Sequence, residues 1–271
     1  MISGFATAEG TKNFKQNSSV NPMNFNIFET LHLSNVGMGT YLGDSDTKTD
    51  ELVKNAVKQS IISGINVIDT AINYRGQKAE RSVGRAMLEL VEEKKITRDQ
   101  IFVSSKNGYV TNDADIQEDF MQYVMRELGK PGIVKEGDIT SGYHCMTTSY
   151  LSDQLDRSLK NLDLECLDLM YLHNSIEGQI KDISKEQFLE NLKSVFELYE
   201  QKRDEGKIKF YGMATWECFR VMNDDPQHLL LEDIVEMAKN IGGNDHGFKF
   251  IQLPYNMNYD QALLGKNQLI Q

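Results

Sequence analysis

Two hydrophobic periods alternate along this chain. Short continuous apolar runs predict buried strands, and longer stretches with apolar residues three and four apart predict amphipathic helices. Residues 1–30 are polar, rich in Asn and Ser and weakly patterned, and read as an N-terminal extension. A first strand lies within 31–38 and leads into Gly37-Met-Gly-Thr-Tyr-Leu-Gly43. A helix over about 50–63 puts Leu52, Val53, Ala56, Val57 and Ile61 on one face, and Gly64 stops it. The next run, Ile65-Asn-Val-Ile68, ends by delivering Asp69 and, five residues later, Tyr74. A second helix over about 79–94 carries one stripe of Val83, Ala86, Met87, Leu90 and Val91. Ile101-Phe-Val-Ser-Ser105 is a third strand running into Lys106.

Residues 107–147 hold no long clean period and contain Pro131 and several glycines, which predicts an inserted, partly helical loop. A helix over about 148–162 follows, with Leu151, Leu155, Leu159 and Leu162 inward. Leu167-Asp-Leu-Met-Tyr-Leu172 is a fourth strand, running into His173. Ser184 with Gln187 predicts a capping box, and Ile183 with Phe188 a hydrophobic staple. The helix they open buries Phe188, Leu189, Leu192, Val195, Phe196 and Tyr199 and ends at Gly206. A strand at 208–214, a helix at about 229–241, a strand at 248–253 and a last helix from near Asp260 complete the pattern.

Strands that alternate with helices pair in parallel, with the helices outside. The fold class is therefore α/β, a parallel (β/α)8 TIM-type barrel occupying 31–271 as one domain. Such a barrel needs eight strands, and the pattern yields six. The barrel is expected to be incomplete, and its open edge strands expose unpaired backbone through which two copies could associate.

Composition narrows the function classes. The formal charge of -11 argues against nucleic acid, because phosphate neutralisation needs a basic face. Hydrophobic residues at 40% and charged ones at 25% suit one sizeable core. No apolar run approaches the roughly 18 residues of a membrane span. The start, Met1-Ile-Ser-Gly-Phe-Ala6, lacks a secretory pattern. Cys145, Cys166 and Cys218 show no pairing pattern, so a cytoplasmic location is expected. His144-Cys145 and Cys166 with His173 lack ligand spacing, so no metal site is expected.

A carboxylate at the end of an apolar strand is costly to bury unless a cation meets it. Lys106 and His173 end later strands and are the candidates to converge with Asp69 and Tyr74, since barrels keep their chemistry at the C-terminal ends of strands. Two other nucleotide chemistries fail on spacing. The third glycine of Gly37–Gly43 comes one residue late for a dinucleotide fingerprint, and a polar loop follows it. Tyr74 and Lys78 have a Tyr-x-x-x-Lys spacing, but Gly76 lies between them, and Lys78 reads as a loop cation.

Taken in order, the motifs resemble the aldo-keto reductases. They are Gly37-Met-Gly-Thr40, Asp69-Thr-Ala-x-x-Tyr74, Ala79-Glu80 with Val83-Gly84, Ser105-Lys106, Asp168-Leu-Met-Tyr-Leu-His173, Gly206-Lys-Ile-Lys-Phe-Tyr-Gly212 and Gln252. The resemblance implies an oxidoreductase that reduces an aldehyde or ketone, a small-molecule carbonyl substrate, by hydride transfer from a nicotinamide cofactor. NADPH is the family habit, and NADH stays open because the deciding residues have no counterpart here. It implies Tyr74 as general acid, Lys106 and Asp69 as its tuning pair and His173 as the group that orients the carbonyl. It places Thr40, Tyr41, Asp69, Thr215 and Gln252 at the cofactor. A free phenol, with a pKa near 10, is poorly matched to proton transfer at neutrality; a neighbouring ammonium is expected to lower it. Where many members have Ser-Asn, this chain has Ala214-Thr215-Trp216, so Thr215 is left to bond the carboxamide. The family's phosphate-binding segments after strands seven and eight have no counterpart, which implies a partial sequence of a longer enzyme. The alternatives are a regulatory, non-catalytic barrel protein and an inactive fragment.

Overall fold

The computed structural model describes residues 1–264 and Gln268. In chain order it contains α1 (Ala8–Asn17), β1 (Phe25–Phe28), β2 (Leu31–Ser34), β3 (Met38–Gly39), α2 (Thr47–Ile62), β4 (Val67–Asp69), α3 (Lys78–Glu92) and β5 (Phe102–Asn107). These are followed by α4 (Phe120–Val124), α5 (Thr148–Leu162), β6 (Leu167–His173), α6 (Ser175–Gln179), α7 (Lys185–Asp204), β7 (Ile208–Ala214), α8 (Leu231–Gly242), β8 (Phe248–Gln252) and α9 (Gln261–Leu264). The sheet order is β3-β4-β5-β6-β7-β8, each strand beside its neighbour in sequence. The pairs β3/β4, β4/β5 and β7/β8 are parallel. Sequential order with helices between strands is the topology of a βα barrel, of which the described residues form six strands.

The chain divides into two compact units, one of residues 1–106, 111–123 and 154–170, the other of 107–110, 124–153 and 171 onward. In the first unit, the strand expected within 31–38 is two pieces. β2 turns back on β1 as an antiparallel hairpin, Phe25 opposite Ser34 and Phe28 opposite Leu31, and only Met38–Gly39 joins the parallel sheet. The break has a physical cause in Asn66, whose buried amide accepts from Ser34 N at 2.8 Å and donates to His32 O at 2.9 Å. The backbone of β2 is thereby tied across to the residue before β4.

The helix stripes were read with mixed success. In α3, Val83, Ala86, Met87 and Leu90 are fully buried. Helix α2 buries Val57 and Ile61, but Leu52 and Ala56 are exposed. The inner position two turns before Val57 goes instead to Asp50, which meets Arg75 and Lys78, each at 2.8 Å. Helix α2 starts at Thr47 because Asp46 caps it, accepting from Thr49 N at 2.7 Å. Lys78 is correspondingly no loop cation: it is the buried first residue of α3 and also pairs with Asp115 at 2.6 Å.

Asp168, in β6, is a deeply buried charge of this unit. Its carboxylate accepts from Ala6 N at 2.6 Å, Val103 N at 2.8 Å and the Arg98 guanidinium at 2.7 Å. Arg98 spends its other donors on the carbonyls of Ile101 and Cys166. The carboxylate and both terminal nitrogens of the guanidinium have partners, which is what makes a buried charge tolerable, and Arg98 Nε alone in the pair has none.

In the second unit, α7 buries Phe188, Leu192, Val195, Phe196 and Tyr199. Phe196 stacks on Phe248 at 5.2 Å and stands edge-on to Tyr211 at 5.1 Å. Burying each such side chain contributes about 1.5–3 kcal/mol. The expected capping box is half made. Ser184 Oγ accepts from Gln187 N at 3.2 Å, while the Gln187 side chain turns along the helix to Asn191. The short helix α6, directly after His173, has no counterpart in the sequence reading.

Candidate active site

Five of the expected residues belong to the first unit. Asp69 is the last residue of β4, and Lys106 lies on β5, two positions beyond the Asp69–Ser104 register pair. The Lys106 ammonium reaches Asp69 Oδ2 at 2.6 Å and also donates to Thr70 O at 2.8 Å. Asp69 Oδ1 accepts from Ser104 Oγ at 2.9 Å. The cation that the buried strand end demanded is therefore in place. Lys106 also sits over the Tyr74 ring, its Nζ 4.9 Å from the centroid. Tyr41 stands edge-on to Tyr74 at 5.0 Å, and the buried Thr40 donates to Asp69 O at 3.2 Å.

Local backbone geometry aims Tyr74. Arg75, Gly76 and Gln77 all have left-handed φ values, 52°, 57° and 73°. For the two non-glycine residues this costs about 1–2 kcal/mol each, so the turn must be held from outside. Arg75 is held by Asp50 and by Ser82 Oγ at 3.1 Å. Gln77 donates to Asn112 O and Tyr123 Oη, both at 3.2 Å, and Gly76 O accepts from Ala114 N at 3.1 Å. The start of the predicted insert thus acts as a brace for the residue after the pivotal phenol. Nothing in the local sequence announces this, because the partners lie 35 to 46 residues away.

The electrostatics reverse one expectation. The Tyr74 phenol is pushed up from its ordinary value, first by burial, then by the Asp69 carboxylate and then by Tyr41. The Lys106 ammonium over the ring does not outweigh these three. Burial pulls the Lys106 ammonium below its usual range, with Asp69 acting in the opposite direction. The result is a phenol kept firmly protonated beside an ion pair.

The other expected residues belong to the second unit. His173 ends β6 half-buried, with Tyr109 edge-on to its ring at 5.2 Å. Thr215 follows β7, is almost fully buried, and donates its backbone N–H to Gln252 O at 3.0 Å. Its hydroxyl is already committed. It donates to Glu177 Oε1, and its oxygen accepts from Cys218 N at 3.1 Å. Glu177, which the sequence reading did not single out, also accepts from Trp216 N and Glu217 N, both at 2.8 Å. One carboxylate oxygen therefore shapes the turn after β7, and the other, Oε2, is buried without a hydrogen-bond partner. A groove of about 760 Å³ between α7 and α8 carries none of these residues.

Among the described residues, no cluster of His, Cys, Asp or Glu has the form of a metal site, and no helix is long and apolar enough to cross a membrane. Cys145, Cys166 and Cys218 are buried thiols outside any disulfide.

Comparison with known proteins identifies relatives of one kind. The chain is 29% identical over 94 residues to aldose reductase C of Dictyostelium discoideum, covering 35% of this chain and 27% of that protein. It is 29% identical over 167 residues to the uncharacterized oxidoreductase YtbE of Bacillus subtilis, covering 62% of this chain and 42% of that protein. The chain thus spans less than half the length of these relatives. Among solved structures, an aldo/keto reductase from Klebsiella pneumoniae in complex with NADP and acetate superposes with a TM-score of 0.51 at 20% identity. The match covers 89% of this chain and 62% of that one, and shows the fold. The sequence model of the aldo/keto reductase family matches residues 35–227, well over half of the chain. By that match the chain belongs to the aldo/keto reductase family.

Proposed function

We propose that the chain is an oxidoreductase that reduces an aldehyde or ketone with a nicotinamide cofactor, NADPH by preference, and that Tyr74 donates the proton. The observation that carries this reading is the half-buried Tyr74 phenol, its pKa raised, with the Lys106 ammonium over its ring and Asp69 behind that ammonium. The relatives' names agree with it, and the Klebsiella protein was solved with NADP.

The chain's residues fit a nicotinamide on chemical grounds. A primary amide brings N–H donors, and Glu177 Oε2 is a buried acceptor with none. In this reading Glu177 takes the amide contact first expected of Thr215, whose hydroxyl is occupied. Gln252, Thr40 and Tyr41 remain the other cofactor residues. When bound, the cofactor supplies the hydride that reduces the carbonyl carbon.

The protein's own part is proton and charge control. Negative charge gathers on the carbonyl oxygen as the carbon is reduced, and Tyr74 transfers its proton there. A half-buried phenolate would be costly alone. Lys106 stabilises it as it forms, and Asp69 keeps Lys106 charged and in place. His173 keeps the role the resemblance gives it, orienting the carbonyl. Thr70 O and Ser104 limit the freedom of the ion pair.

Titration with NADPH, followed by protein fluorescence, is expected to show saturable quenching, with turnover on addition of short aldehydes. Quenching without turnover on a broad carbonyl panel would favour the regulatory reading, and no binding would overturn both. The direction of the Tyr74 shift makes a second expectation. An acid whose pKa is raised stays protonated to higher pH, so reduction is lost only as pH rises through that raised value. The alkaline limb of kcat/KM for reduction should lie above about pH 10. A limb near neutrality would contradict the Tyr74 phenol as the donor.

A further inference from the structure

We propose that His144 is a positioning residue for His173. It holds the end of β6 by its last carbonyl and never touches substrate. The inference rests on the reductase reading above and concerns only the second unit.

His144 is fully buried in the segment before α5. Its Nε2 lies 2.8 Å from His173 O, and its Nδ1 lies 3.0 Å from the Gln179 amide nitrogen. A carbonyl can only accept and an amide N–H can only donate. The two contacts therefore admit one form of the ring, neutral with its proton on Nε2. Burial supports that form by pulling the imidazole down to about 4. The last carbonyl of β6 thereby has a side-chain partner at the strand's end. The chain then turns through Asn174 in a left-handed conformation, φ 44°, before entering α6. The carbonyl held by His144 is thus the hinge between the imidazole of His173 and the turn behind it.

The surroundings are built around this ring. A Cβ on Gly108 would come within 2.4 Å of His144 Nε2, and a Cβ on Gly178 within 2.7 Å of the ring's Cγ. Glycine at both positions leaves a slot that accepts an imidazole edge and face. Thr140 fastens the His144 backbone, its hydroxyl lying 3.1 Å from His144 O and 2.6 Å from Gly178 O. Tyr109 fills the space beside both rings, edge-on to His144 at 5.3 Å and to His173 at 5.2 Å, and its hydroxyl accepts from Asn174 Nδ2 at 3.3 Å. Backbone and ring of His173 are therefore each fixed by a contact that traces back to His144.

The test uses the full chain with His144→Phe, which keeps an aromatic ring beside Tyr109 and removes both hydrogen bonds, and His144→Gln, which retains an N–H to offer the carbonyl. His144→Phe is expected to lower kcat about 10- to 100-fold, the scale of a misplaced orienting group. NADPH quenching should stay within about twofold, and His144→Gln should recover most of the loss. In a His173→Ala background, His144→Phe should change kcat by less than about twofold, because its effect passes through His173. An unchanged kcat in His144→Phe, or the same large loss with His173 absent, overturns the proposal. Nitrogen-15 spectra of the histidine rings read the link without turnover. The His173 resonances should shift in His144→Phe, and unmoved resonances also overturn it. If the unaltered chain reduces no carbonyl, the reductase reading fails, and the spectra still decide whether His144 positions His173.

Discussion

Replacing Tyr74 by Phe is expected to lower kcat for carbonyl reduction by about 10²- to 10⁴-fold, the range that one positioned proton donor contributes. Phe keeps the ring. The edge contact with Tyr41 at 5.0 Å and the face offered to Lys106 at 4.9 Å both survive, and only the O–H is lost. Stability and NADPH quenching should therefore hardly change, and the loss should fall on kcat rather than on cofactor affinity. The size follows from the setting. In the resting protein burial, Asp69 and Tyr41 keep the phenol protonated, so the proton is present when charge begins to build on the substrate oxygen. Once the proton leaves, the phenolate oxygen is the new anion in a buried place, and the Lys106 ammonium is the group available to balance it. A variant that turns over at the original rate would end the assignment of Tyr74 as acid. Equal losses of kcat and cofactor binding would instead make it a packing residue.

Asp168→Ala should be the most destabilising single change in the first unit, by roughly 3–5 kcal/mol, the cost of leaving a buried charge without its partner. The carboxylate is nearly inaccessible, 2% exposed, and so is the Arg98 guanidinium, at 4%. Removing Asp168 strands Arg98 and at the same time orphans the N–H groups of Ala6 and Val103. Those donors lie on the N-terminal segment and on β5, so one carboxylate ties three stretches of chain together. Arg98→Met alone should cost a comparable amount, because it leaves the carboxylate buried with only the two backbone donors. Urea unfolding followed by circular dichroism would show the fall in midpoint. A loss below about 1 kcal/mol for Asp168→Ala, the level of an exposed pair, would mean that the site relaxes and admits water.

The two predictions meet on neighbouring strands, and they show what was legible beforehand. Asp69 could be read as needing a cation because an acid ending an apolar strand has few other solutions, and Lys106 meets it at 2.6 Å. The stripe of α3 was legible because its inward positions repeat at helical spacing, and of the five expected all but the half-buried Val91 are fully buried. The stripe of α2 misled at Leu52. The apolar period does not register that Asp50 is wanted inside for Arg75, a residue 25 positions later. The strand at 31–38 misled because Asn66, far along the chain, draws β2 into a hairpin. Thr215 was expected to be free for the cofactor, but Glu177 reaches its hydroxyl from 38 residues upstream.

By itself the sequence determined the alternation of strand and helix, the ends of strands at which Asp69, Tyr74, Lys106 and His173 stand, and the family. These follow from local period, from turn residues and from the cost of burying a charge, all of which act over a few positions. The tertiary structure alone decided the direction of the Tyr74 shift, the bracing of its left-handed turn, the commitment of Thr215 and the place of His144. Each of these depends on which groups meet across long separations in sequence and on how much water burial removes. Hydrophobic pattern carries no record of either, because an apolar period states that a face is buried and leaves open what polar group will be buried with it.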